Sequence, residues 1–254
     1  MFKKPLGILG VFLVVVGFGF FAGAGVAYSM VQGGYGSLQS FSEAQNVELS
    51  YNEDGDLVDR GTVEGAAAIR SLLADDWGFP IVDSDLDPDD PLVNSATEYM
   101  FQMATIGYHV LNGTETVMLS VADLTDSDGV VATEFACNDT MVAVPDPFPE
   151  AGLTCDFEVD GRYWTGFDRL DPVEGQARDM AWSGTAHALV AELGVGAATH
   201  STLQLALGVA ALLAGLGLVF LVMGILIVVH TRSTVDTTPE GTQLDDDGSG
   251  PAVA

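Results

Sequence analysis

The chain has 254 residues, 48% of them hydrophobic, and sets 36 Asp and Glu against 8 Lys and Arg for a formal charge of −28. So anionic a chain argues against nucleic acid as a partner, because phosphate binding needs clustered cations. Asp outnumbers Glu by 24 to 12, which suits a salt-rich or divalent-rich exterior where screening moderates self-repulsion.

The first element is an uncharged apolar run over residues 6–30, after a short N-terminus (residues 1–5) carrying Lys3 and Lys4. It is long enough to cross roughly 30 Å of hydrocarbon, for which about 20 helical residues suffice. "AGAGVA" at 22–27 offers small-residue cleavage sites for a secretory signal, but the run exceeds the usual length of a signal's apolar core. It also places Gly10, Gly17 and Ala24 at heptad spacing, and Gly19, Gly23 and Ala27 at four-residue spacing, both suited to close helix packing. A retained transmembrane helix is therefore expected. "VQGGYGSLQSFSEAQ" then reads as a glycine-punctuated exit.

Residues 31–200 form the central domain and hold 31 Asp and Glu against five Arg and no Lys. Alternation in "VELSYNEDGDLVDRG" predicts a hairpin about the "EDGD" turn. Thr62 is the expected N-cap of a helix over "VEGAAAIRSLLADDW", stopped at "GFP". A second helix is expected over 91–111, with Asp90 as N-cap and an apolar stripe that includes Met100 and Met103 as core filler. Between 114 and 165, short β-rich segments predict three or four strands. A last helix begins at Asp171 as N-cap, with Pro172 first and Glu174 closing a capping box, and "GVG" at 194–196 makes a joint. The second span covers 203–229, followed by His230 and Arg232 and a polar, acidic tail through 254 expected to be disordered. Basic residues beside both spans place both termini in the cytoplasm and the central domain outside, at the plasma membrane. The fold class is thus a transmembrane helical hairpin enclosing an extracytoplasmic α+β domain.

Four groups of residues are candidates for function. Cys137 and Cys155 are the only cysteines, and outside the cell a disulfide is their expected state. "DSDLDPDDP" at 83–91 puts Asp83, Asp85 and Asp87 at the first alternate positions of a calcium loop. However, Pro88 stands where glycine is wanted and Asn94 where a bidentate Glu is wanted. Helix capping and solvation explain the stretch better, with a cation-dependent binding or sensor domain as the alternative. "DGRYWTGFDR" at 160–169 gathers Arg162, Tyr163, Trp164, Phe167 and Arg169, residue types favoured as interface anchors. Aromatics that cap a core above a membrane, with arginines paired to surplus carboxylates, give the same pattern. Finally, Ala206, Ala210 and Ala214 line one face of the second span, with Gly217 and Gly224 further on, matching the small seam of the first.

No nucleophile elbow, zincin motif, phosphate loop or dinucleotide fingerprint occurs. Ser183 and His187 share a helical face without a third orienting group. No catalytic residue and no cofactor are expected. The expected partners are the lipid bilayer and a membrane protein or second copy of the chain.

The segments "FSEAQNVELSYNEDGDLVDRGTVEGAAAI", "DPDDPLVNSATEYMFQMA", "DGRYWTGFDRLDP" and "WSGTAHALVAELGVG" resemble a family of two-span membrane proteins from high-GC Gram-positive bacteria. The resemblance covers most of residues 40–225 and implies a bacterial plasma-membrane protein. It brings no activity, ligand or site residue with it.

Overall fold

The computed structural model describes residues 3–233; the acidic tail, from 234 onward, lies outside them. Two long apolar helices flank an α/β region with small antiparallel sheets. In chain order these are α1 (Lys3–Gln45), α2 (Val63–Ser71), α3 (Ala96–Leu111), β1 (Thr114–Leu119), β2 (Glu134–Cys137), β3 (Thr140–Ala143), β4 (Leu153–Glu158), α4 (Pro172–Ala181) and α5 (Gly184–Ser233). The chain divides into two compact units. One joins the residues up to Gly33 with those from Gln204 onward, and the other is Gly34–Leu203.

In the first unit, both helices are long and apolar enough to cross a membrane. The heptad seam read from the sequence is where they meet. A Cβ on Gly10 would lie 3.0 Å from the Gly224 carbonyl oxygen, and one on Gly17 would lie 2.9 Å from that of Gly217. Those contacts are backbone, so no side-chain shift relieves them, and only glycine allows this approach. Ala24, Val31 and Ala210 continue the buried line, whereas Ala206 and Ala214 are half-buried beside it. Phe20 and Phe220 stack with centroids 5.5 Å apart. The Gly19 and Gly23 row faces outward, with nothing within 4 Å of either position.

The second unit has two cores. In one, α4 covers the β1–β4 pair, whose register runs from Thr114 opposite Glu158 to Leu119 opposite Leu153. Alternation aims Val117 and Leu119 of β1 and Cys155 and Phe157 of β4 inward, onto Val173, Ala177 and Ala181 of α4. The other core joins Ile69 and Leu73 to Tyr99, Phe101 and Ala104 of α3 and to Leu193 and Ala197 of α5. β2 and β3 form a separate hairpin. Cys137 of β2 and Cys155 of β4 stand at disulfide distance, with S–S 2.00 Å and Cα–Cα 5.7 Å.

Several expectations need correction. The glycine-rich segment after residue 30 does not end the first helix, which runs to Gln45. The second expected helix starts at Ala96 rather than 91, because Ser95 and Glu98 form a complete capping box. Residues 91–93 are instead extended: Leu49 N–H donates to the Pro91 carbonyl and Val93 N–H to that of Val47. Asp90 therefore closes a turn, donating its N–H to Asp87 O at 3.1 Å. Asp171 does cap α4, accepting from the Val173 and Glu174 N–H groups, but Glu174 reaches the Asp168 N–H and Arg162 rather than back to the cap. α4 stops at Ala181, and Ser183 Oγ accepts from Ala186 N–H at the start of α5. α5 then passes through 194–196 without a joint. Gly196 is needed there for close approach, since a Cβ would lie 2.7 Å from the Tyr99 ring.

Candidate functional site

The aromatic stretch becomes a layer built from three sequence neighbourhoods. After β4 the chain turns through Asp160 and Gly161, both at positive φ, and enters a short 3₁₀ turn at Trp164–Gly166. Phe167 is buried in the sheet core, tilted against Phe157 with centroids 6.1 Å apart. Arg162 lies 5.0 Å from the Phe157 ring centroid and pairs with Glu174 at 3.0 Å. Tyr163 stacks on Trp182 with centroids 5.8 Å apart and accepts at its hydroxyl from Trp77 Nε1 at 2.7 Å. Trp182 is buried, and its indole N–H donates to the Arg162 carbonyl. Arg178 of α4 covers the Trp164 ring at 4.2 Å, and His187 of α5 meets that ring edge-on at 4.9 Å.

Of the five residues taken from 160–169, the structure thus uses Arg162, Tyr163 and Phe167 to knit the layer. Trp164 is partly open, and Arg169 is exposed beside Leu170, which is 95% exposed. Two of the arginines in this region, Arg162 and Arg178, sit on rings and carboxylates. Cation–π contacts of this kind are worth about 0.5–2 kcal/mol, so the layer is first a structural joint. Arg178 and Trp182 fall within the arginine- and aromatic-rich stretch 162–182 but outside the five residues singled out, and Trp77 carried no sequence signal because it arrives from a distant element.

The acidic stretch does not converge. Asp83 pairs with Arg70, Asp87 accepts the Asp89 N–H at 2.9 Å, and Asp85 ends the 3₁₀ turn that Asp83 begins, Asp83–Asp85, without joining either contact. Among the described residues no three His, Cys, Asp or Glu side chains form a metal-holding group. Asn52 likewise accepts the N–H groups of Asp54 and Asp56, and Asp126 those of Asp128 and Val130. In these loops the carboxylates and amides fold the backbone on itself.

The electrostatics are most perturbed where that loop meets α3. Burial, then the carboxylates of Glu98 and Asp87, push the Tyr51 hydroxyl up to about 12. Burial raises the Glu98 carboxyl above its ordinary value, against hydrogen bonds from the Asn94 and Ser95 N–H groups and the Ser95 hydroxyl. At the same helix start, Ala96 N–H donates to His200 Nδ1 at 3.1 Å. Ser183 and His187 make no hydroxyl–imidazole bond; His187 Nδ1 faces the Ser183 carbonyl at 3.2 Å.

Cavities of several sizes open on this unit. One of about 170 Å³ lies among Phe41, Tyr99 and Leu193, and one of about 460 Å³ between Met118–Val121 and Phe148–Gly152. The third, of about 540 Å³, lies where Trp77, Tyr108 and Tyr163 meet. The chain matches no protein family, no curated protein and no solved structure.

Proposed function

We propose that the chain is a two-span protein of the plasma membrane, with both termini cytoplasmic and residues 34–203 outside. There it serves without enzymatic chemistry as an interaction or accessory component. The observation that carries this reading is the inverted packing of the apolar helices. Glycine and alanine fill their seam, while large side chains such as Phe12, Phe18 and Leu212 are exposed along their outer faces. Such a surface is stable in hydrocarbon and not in water. Lys3, Lys4, His230 and Arg232 at the span ends support the orientation. The Cys137–Cys155 pair suits an oxidising exterior.

The test combines topology and packing. With a membrane-impermeant reagent, thiol labelling of intact cells is expected to reach neither cysteine before reduction and the half-buried Cys137 after it; labelling without reductant defeats the pairing, and labelling that needs lysed cells defeats the exterior placement. Cysteines introduced as Phe20→Cys and Phe220→Cys are expected to cross-link within one chain in native membranes. Absence of that product, or products only between chains, defeats the paired spans. Proteins copurifying with the chain from its own membrane identify the partner.

A further inference from the structure

The 540 Å³ cleft is walled by Asp76, Trp77, Tyr108, Asn112 and Tyr163, with Leu111 at its base. Its three rings come from three separate elements. Trp77 follows a π turn over Leu72–Asp76, in which its N–H bonds the Leu72 carbonyl at 3.0 Å. That wide turn places Asp76 and the indole together, and π turns of this kind recur at binding sites. Gly107 of α3 admits the indole, since a Cβ there would lie 3.1 Å from Trp77 Cζ2 and Cη2. The 2.7 Å bond from Trp77 Nε1 to the Tyr163 hydroxyl then locks two of the rings together.

The chemistry of the wall selects its ligand. It contains a carboxylate and no Lys, Arg or His, and Asp76 belongs to none of the four ion pairs among the described residues. An anion would meet like charge. A sugar needs donors and acceptors together, yet Ser71 Oγ donates to Asp75 and Asn112 Nδ2 to the Tyr108 carbonyl, which leaves the wall richer in acceptors, the Asp76 carboxylate first among them. A cation gains from the negative faces of the rings and from the carboxylate together. The surrounding unit, with 31 acidic residues against five arginines, raises the local cation concentration further. We infer that this cleft binds a small organic cation, a substituted ammonium group whose apolar shell packs on Trp77, Tyr108 and Tyr163 while Asp76 balances its charge. The inference holds on whichever side of a membrane the unit lies.

The test uses the full chain in a nonionic, choline-free detergent, with choline chloride as the probe. Melting temperature and tryptophan fluorescence are followed against sodium chloride at matched ionic strength and against 3,3-dimethylbutan-1-ol, the uncharged isostere. A saturable response to choline alone is expected. Asp76→Asn, at an exposed position, is expected to keep the ligand-free melting temperature and raise the half-saturating concentration about tenfold. Tyr163→Leu, which also removes the bond from Trp77 and the stack on Trp182, is expected to lower the melting temperature and to raise the half-saturating concentration about tenfold as well. An equal response to sodium chloride or to the alcohol overturns the inference. So does saturation by glucose in place of choline, or an unchanged half-saturation in both variants.

Discussion

In the unit built from residues 34–203, Ile69, Leu73 and Val159 have no exposed surface, and the helix starts are tied by Thr62, Ser95 and Asp171. In the helix pair the buried line runs through Gly10, Gly17, Ala24, Val31, Ala210, Gly217 and Gly224, all but one of them glycine or alanine, while Phe12 and Phe18 are 60% and 62% exposed. One unit is held by side-chain volume and the other by its absence. Two different solvents would select this difference. Against water, burying a large apolar side chain gains about 1.5–3 kcal/mol. Against hydrocarbon that gain vanishes, and close backbone contact takes its place.

The contrast breaks most visibly under opposite substitutions. Leu73→Ala removes volume from a sealed core and is expected to cost about 2–5 kcal/mol, read by denaturant unfolding of the full chain in detergent. Gly224→Leu adds volume where a Cβ alone would lie 2.7 Å from the Gly10 carbonyl. It is expected to abolish the Phe20–Phe220 cross-link while shifting unfolding of the 34–203 unit by less than about 0.5 kcal/mol. If either substitution has the other's effect, the division into two kinds of packing fails.

Reducing the Cys137–Cys155 bond, which closes a separation of 18 residues, is expected to cost the acidic unit about 3 kcal/mol. The β2–β3 hairpin should loosen first, since β1 and β4 keep their own six-residue ladder; amide exchange with and without reductant reads this. Next in size are the caps. Asp171→Ala is expected to cost about 1 kcal/mol, and Asp90→Ala, which caps no helix, less than about 0.5 kcal/mol. Equal losses would restore Asp90 as a cap.

The smallest effect concerns pH. The folded state raises the Glu98 carboxyl above its ordinary 4.5, so between those two values the folded chain holds a proton that the unfolded chain has released. Stability from this group is therefore full below about 4.5 and is lost as pH rises through the raised value. Glu98→Gln is expected to flatten that slope. An unchanged slope would show that the capping hydrogen bonds outweigh burial.

Where local chemistry decides, the residues were legible in order. Thr62 and Asp171 cap the helices they precede, the Asn52–Asp56 turn closes a hairpin, and the heptad of Gly10 and Gly17 marks the seam. Where two local signals compete, the reading slipped. Asp90–Pro91 and Ser95 with Glu98 both look like helix starts, and tertiary pairing of 91–93 with 47–49 selects the second. Glycines at 33–36 and 194–196 look like breaks, yet α1 and α5 run through them, because glycine in a packed helix also serves close approach. The cleft was least legible, since Trp77, Tyr108 and Tyr163 are brought together only by the fold.

The glycine seam also has a consequence for descent. Along the helix pair, outward positions such as Val11, Phe12 and Val15 are more than half exposed, so one apolar residue there substitutes for another at little cost. Gly10, Gly17, Gly217 and Gly224 allow no such exchange, because the obstacle to a larger residue is a carbonyl oxygen. Lineages diverging from this sequence are therefore expected to scramble the outward-facing letters freely while leaving every seventh one intact on both helices, a periodic fossil visible after the rest of each helix has drifted beyond recognition.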